Sequence, residues 1–272
     1  MTKEDPLSYL EFTILGCGSS GGVPRVGNVW GACDPNNPKN RRLRCALLVR
    51  RFGPNGSTTA LIDTGPDVRE QLVRTEVGAL DGVIYTHSHA DHLHGIDDLR
   101  QIAISMRQRV PVYMDEPTSK RAHEAFEYCF VSPPGSNYPP ILEEYAIKCG
   151  TPVIVRGAGG IISFMPYMVH HGEIDALMFR IDNVLYTPDV KSIPKESLPA
   201  LDGLDTWIVD ALRRTPHPSH FSLDDAVSWI HRANPARAII TNMHTDMDYQ
   251  ELCEELPDGI EPAYDGLVIR TG

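Results

Sequence analysis

Apolar residues fall in short runs along the 272-residue chain, many of them β-branched, with turn-forming residues between them. The runs at 12–15, 46–49, 60–62, 82–85, 110–113, 153–155, 161–164, 177–181, 184–186, 206–209 and 238–241 have the length and composition of strands. Helical spacing appears at 66–75, 96–106, 117–130, 222–232 and 249–256, several of these opening on Pro or on a Ser or Asp cap. So many short strands in an order that does not alternate strictly with helices predict two sheets with helices on their outer faces. A doubly wound parallel sheet would alternate more regularly.

Two stretches interrupt the pattern. Residues 16–40 are rich in Gly, Pro and Asn and predict a long loop after the first strand, of the kind that often carries function. Residues 132–140, Ser-Pro-Pro-Gly-Ser-Asn-Tyr-Pro-Pro, predict a connector between elements. Neither an internal repeat nor a polar linker divides the chain, so a single domain over 1–272 is expected.

Composition narrows the partners. Lys and Arg number 25 against 36 Asp and Glu, a net charge of −11, which disfavours a nucleic-acid backbone or an anionic membrane as partner. No apolar run approaches the roughly 18 residues of a membrane span. The opening MTKEDPLSYLEF lacks the basic-then-apolar order of a secretory leader, and a cytoplasmic protein is expected. Six cysteines lie far apart without a C-x-x-C pair, which signals neither a disulfide framework nor a Cys-rich zinc knuckle.

The densest chemistry is Thr86-His87-Ser88-His89-Ala90-Asp91-His92, directly after a predicted strand. Imidazole and carboxylate suit borderline divalent ions, and alternate residues of an extended segment point the same way, so His87 and His89 can share one ion. Asp91 and His92 then face a second.

This H-x-H-x-D-H signature, preceded by Leu61-Ile62-Asp63-Thr64-Gly65, resembles the metallo-β-lactamase superfamily of binuclear hydrolases, and the likeness covers nearly the whole chain. Within that superfamily, Gly16-Cys17-Gly18-Ser19-Ser20-Gly21-Gly22-Val23-Pro24-Arg25, with Trp30, Gly31 and Cys33, is similar to the phosphodiesterase branch, which includes the carbon–phosphorus lyase accessory cyclic phosphodiesterase. The resemblance implies an α+β fold, the αββα four-layer sandwich of the metallo-β-lactamase type, holding two divalent ions, Zn or Mn. It implies a further ligand in Val169-His170-His171-Gly172, where the following Gly favours His171 over His170. It implies a bridging carboxylate at Asp189 in Tyr186-Thr187-Pro188-Asp189. The last ligand falls in Thr241-Asn242-Met243-His244, where relatives carry Thr-His; a two-residue shift on an extended chain keeps the same face, so His244 can replace Asn242. Cys33 stands alone, with Thr245 at the later partner position, so the relatives' extra structural zinc is not expected.

The chemistry implied is hydrolysis of a small phosphate diester or cyclic nucleotide by a hydroxide bridging the two ions. Asp91 and His220 are the candidate catalytic residues, with His220, in His217-Pro218-Ser219-His220, as general acid. Asp210 either orients His220 or ends a strand, and Asp63 holds the histidine loop. Arg25 and Arg42 are candidate substrate-binding residues for a phosphate. Trp30 and Tyr264 either stack on a base or pack. A small phosphate-ester or nucleotide substrate and no membrane partner are expected, and a homodimer stays open. Competing readings on the same residues are an RNA 3′-end nuclease, disfavoured by the charge, a thioester hydrolase, and a nucleotide-binding module without turnover.

Overall fold

Residues 8–271 are described by the computed structural model; residues 1–7, the first part of the stretch read for a leader, lie outside the described residues. Two compact units are formed, one from the residues up to Thr13 with Ala46–Ser163 and those from Val268 on, the other from Ile14–Cys45 and Phe164–Leu267.

The first unit is built on a seven-stranded sheet in the order Val268–Thr271, Tyr9–Gly16, Ala46–Gly53, Gly56–Ile62, Gly82–Ile84, Val110–Met114, Leu142–Ala146. A tight hairpin pairs Gly53 with Gly56 across Pro54-Asn55, and the strands that follow run parallel. Strands covered on both faces read as unbroken apolar runs. Val83, Ile84 and Tyr85 accordingly have no exposed surface. Four α-helices belong to this unit, Val68–Arg74, Ala90–Leu93, Leu99–Met106 and Glu116–Phe130. The last opens on Asp115, whose side chain accepts the Thr118 amide, with Pro117 in the first turn.

The second sheet has the order Ile260–Pro262, Arg237–Thr241, Thr206–Asp210, Val184–Thr187, Ile174–Ile181, Gly160–His171, Val153–Gly157. Gly160–His171 pairs antiparallel with Ile174–Ile181 and the latter with Val184–Thr187, while Val184–Thr187, Thr206–Asp210, Arg237–Thr241 and Ile260–Pro262 run parallel. The carboxyl ends of three of these parallel strands deliver Asp189, Asp210 and Asn242. The helix Leu223–Ala233 starts at a capping box: Ser222 Oγ accepts the Asp225 amide at 3.2 Å, and Asp225 Oδ2 accepts the Ser222 amide at 3.1 Å. It stops at Asn234, which adopts the left-handed conformation. The sixth α-helix, Tyr249–Glu255, begins at Asp248, whose Oδ1 accepts the Gln250 and Glu251 amides.

Two mixed sheets and six α-helices among the described residues make the α+β class read from the sequence. Each predicted strand is present. Three more appear, Leu142–Ala146, Ile260–Pro262 and Val268–Thr271, all at or next to the sequence's least apolar runs and at sheet edges. The helix predicted over 96–106 splits into a 3₁₀ turn, Ile96–Asp98, and an α-helix, Leu99–Met106. The four-residue helix Ala90–Leu93 is too short to show a period. No helix among the described residues is long and apolar enough to cross a membrane.

Candidate metal centre

The histidine motif of the first unit leaves the strand Gly82–Ile84 as extended chain and turns into the helix Ala90–Leu93 at His89. That turn gathers the rings: His87 lies 4.7 Å from His89 and 4.3 Å from His92, centroid to centroid. Asp63, fully buried and in the left-handed conformation, organises the loop. Its Oδ1 accepts the Thr86 amide at 2.8 Å and its Oδ2 accepts the Thr86 hydroxyl at 2.8 Å and His92 Nδ1–H at 2.7 Å. Burial pushes the Asp63 carboxyl above its usual range, and His92 with the Thr86 donors pulls it back. With the proton of His92 fixed on Nδ1, its Nε2 is an acceptor, and it faces Asp91 Oδ2 at 3.4 Å.

A matching arrangement stands in the second unit. His171 ends the strand Gly160–His171 and directs Nδ1–H to the Ser219 carbonyl at 2.7 Å. Gly172, with φ +66°, makes that possible, because a Cβ there would lie 2.7 Å from the Ser219 Cβ. The other ring nitrogen of His171, Nε2, stands 3.4 Å from Asp189 Oδ2. Asp189 is itself held from behind by Asn242, whose amide nitrogen donates to Asp189 Oδ1 at 3.2 Å and to the Pro188 carbonyl at 3.0 Å.

In each unit, therefore, a buried imidazole stands against a carboxylate oxygen, His92 against Asp91 and His171 against Asp189. Two acceptors do not stabilise each other; a cation between them does. The donor chemistry of His87, His89, Asp91, His92, His171 and Asp189 thus fits divalent metal ions. His170, the alternative to His171, is exposed and pairs with Asp175 at 2.8 Å.

His220 is set in the second unit with its ring 4.5 Å from that of His171. Asp210 Oδ2 accepts its Nδ1–H at 2.8 Å and the Val190 amide at 3.1 Å. Burial raises the Asp210 carboxyl to about 6, with the His220 interaction opposing and Asp189 adding to the rise. Nε2 is the ring nitrogen of His220 that the Asp210 bond does not engage.

Two expectations are corrected. His244 does not lie beside Asp189; Asn242 does. The parity argument required an extended chain, but Asn242 has φ +62°, which breaks the alternation and turns His244 to another environment. There its Nδ1 is 3.2 Å from Asp246 Oδ1 and its Nε2 accepts from Arg25. Arg42 is equally committed elsewhere. Buried to 1% exposure, its guanidinium donates to the Met247 carbonyl at 2.7 Å and to Asn40 Oδ1 at 3.3 Å, so it braces loops rather than facing a substrate. Cys33 lies against the Thr245 carbonyl. Of the aromatic candidates, Tyr264 covers Lys39 at 4.4 Å, and Trp30 stands 5.4 Å from the Arg41 guanidinium. The residues that sequence reasoning missed, Ser219 and Asp246, act on His171 and His244. A backbone carbonyl leaves no trace in side-chain chemistry, whereas the H-x-D spacing of 244–246 was visible.

The family model described as "Beta-lactamase superfamily domain" matches residues 58–243. This chain belongs to that superfamily, in the branch of the PhnP family, and has the metallo-β-lactamase fold. The crystal structure of a new diphosphatase from the PhnP family is 34% identical, covers 97% of both chains and superposes with a TM-score of 0.84. Zn(2+)-bound PqqB from Methylobacterium extorquens, 15% identical with 95% of this chain and 99% of that one covered, shares the fold with a TM-score of 0.73. An octanoyltransferase of Porphyromonas gingivalis (strain ATCC BAA-308 / W83) is 31% identical over 258 residues, 93% of this chain. The chain spans about half the length of that curated relative, 50%.

Proposed function

We propose that this protein is a binuclear metal-dependent phosphodiesterase acting on a small phosphate diester or nucleotide. His87, His89, Asp91, His92, His171 and Asp189 are the proposed ligands. The observation that carries the reading is the paired arrangement of imidazole and carboxylate acceptors, His92 with Asp91 and His171 with Asp189, backed by a His220–Asp210 pair. When bound, two such cations, Zn or Mn, lower the pKa of water toward neutrality and offset charge on a phosphoryl group.

The chain's own residues supply the rest. Asp63 and the Ser219 carbonyl hold His92 and His171 with their Nε2 lone pairs outward, so the donors are oriented before any ion arrives. In the hydrolysis, oxygen from water bonds to phosphorus, one phosphorus–oxygen ester bond breaks, and the departing alkoxide needs a proton. His220 gives that proton from Nε2, and Asp210 at Nδ1 stabilises the imidazolium form that carries it. The products are a phosphate monoester and an alcohol.

Acyl hydrolysis is the second reading, favoured by the name of the Porphyromonas gingivalis relative. One assay separates the two: protein loaded with Mn²⁺ or Zn²⁺ is offered bis-p-nitrophenyl phosphate and, separately, a thioester. Cleavage of the diester, lost in Asp189→Ala, is expected. Thioester turnover without diester turnover would move the assignment to acyl chemistry, and silence on both would leave a binding module.

A further inference from the structure

The first unit carries a cavity that none of the histidines lines. It lies among the helix Leu99–Met106, the end of the helix Glu116–Phe130 and the connector 132–140, and it encloses about 440 Å³. Ile104, Tyr128, Tyr138, Pro139 and Ile141 give it apolar and aromatic walls. Ile104 is 60% exposed and Tyr138 78%. Large apolar side chains gathered around one concave surface of this size are the mark of a ligand site. The connector makes a fixed wall: the Ser132 hydroxyl donates to the Tyr138 carbonyl at 2.8 Å, the Tyr138 amide to Ser136 Oγ at 3.1 Å, and the Ser136 amide to the Pro133 carbonyl at 3.0 Å. Four prolines among its nine residues restrict it further, so little freedom is lost when a ligand arrives.

The cavity continues past Ile104, Pro139 and Ile141, which line it and also a second depression of about 370 Å³. The far end of that depression is Arg107-Gln108-Arg109, the turn from the helix into the strand Val110–Met114. The Arg107 amide closes on the Ile104 carbonyl at 3.3 Å and the Gln108 amide on the Ala103 carbonyl at 3.3 Å, which joins the basic turn directly to the apolar wall. Arg107 holds φ +56°, the left-handed conformation that a helix end usually gives to Gly or Asn. Charge separates the two ends of the groove. Arg100, on the aromatic side, is paired with Asp97 at 2.5 Å, and its guanidinium stands 5.8 Å from the Tyr128 ring. Arg107 and Arg109 are exposed, and among the described residues no carboxylate pairs with either. On a chain of net charge −11, an apolar trough ending in two unpaired guanidinium groups is complementary to a molecule with an apolar tail and an anionic head.

We propose that this groove binds a single-chain amphiphile, its tail against Ile104, Tyr128 and Tyr138 and its anionic head at Arg107 and Arg109. The site is independent of the phosphodiesterase reading above.

The test is calorimetric titration of decanoate and of decyl phosphate, each kept monomeric, into the metal-loaded protein, beside decyltrimethylammonium, acetate, and vesicles containing phosphatidylglycerol. At least one of the two anionic amphiphiles should bind about tenfold or more tightly than either the cationic one or acetate, and which one does so identifies the head group. Each methylene added from octanoate to decanoate should tighten binding by up to about fourfold. Ile104→Glu, at an exposed position, should weaken the anionic amphiphile at least about tenfold. Arg107→Asn, which suits the left-handed backbone, combined with Arg109→Gln should erase the preference for an anionic head. Asp189→Ala should bind as the wild type does, which separates this groove from a carboxylate or phosphate held at the metal ligands. No binding of either anionic amphiphile, no preference for an anionic head, unweakened binding in Ile104→Glu, lost binding in Asp189→Ala, or binding to vesicles without binding of the monomeric amphiphiles would each overturn the proposal. Failure to cleave bis-p-nitrophenyl phosphate would count against the phosphodiesterase reading alone.

Discussion

A single hydrogen bond decides what each histidine of this site can do. The Asp63 bond to His92 and the Ser219 bond to His171 place protons on Nδ1 and make Nε2 the acceptor of each ring, the orientation that the proposed metal ligands require. The same logic makes His220 different, since its Nδ1 partner is the buried carboxylate of Asp210, a group suited to stabilising a charged ring. His220→Ala should therefore lower diester turnover by roughly 10²- to 10⁴-fold while metal content stays the same. Steady-state kinetics with metal analysis checks this, and loss of metal in the variant would show that His220 is a ligand instead. Residue identities such as these were legible, because His, Asp and Gly at fixed spacing leave few chemical alternatives. What was not legible was the backbone conformation of a single position: the left-handed Asn242 put the amide, not His244, against Asp189.

At the scale of elements, the site depends on turns that bring one segment close to another. Gly172 joins the strands Gly160–His171 and Ile174–Ile181 at φ +66° and lets Ser219 approach. Gly172→Ala meets both strain and a clash, and should cost about 1–3 kcal/mol of stability. It should also weaken metal binding, because the His171 tautomer loses its anchor. Urea unfolding and metal titration measure the two effects, and a variant with unaltered metal affinity would show that Ser219 does not set His171. The strands and helices themselves were largely readable, since runs buried on both faces must be apolar and capped helices must start on residues such as Ser222 or Asp115. The edge strands Ile260–Pro262 and Val268–Thr271 were not, because at three or four residues they carry no period.

For the whole molecule, the clustering of acceptors that repel one another predicts a protein whose native state gains from metal. Chelation should lower the melting temperature, and Zn²⁺ or Mn²⁺ should restore it, since an ion bound only by the folded chain at a hundred times its Kd contributes about 2.7 kcal/mol. Differential scanning calorimetry before and after dialysis against chelator tests this; an unchanged transition would mean that the donors do not hold an ion. The sequence by itself determined the α+β class, the clustering of His and Asp donors in the His87–His92 motif, and the superfamily, because hydrophobic periodicity and residue spacing are local properties that any fold of this chain must respect. Only the tertiary structure decided that Arg42 is spent on loop carbonyls, that Arg25 bonds to His244, and which imidazole nitrogen of His92 and His171 is taken up by a hydrogen bond. Those depend on partners distant along the chain, and distance in sequence carries no information about which hydrogen bond a buried group will find.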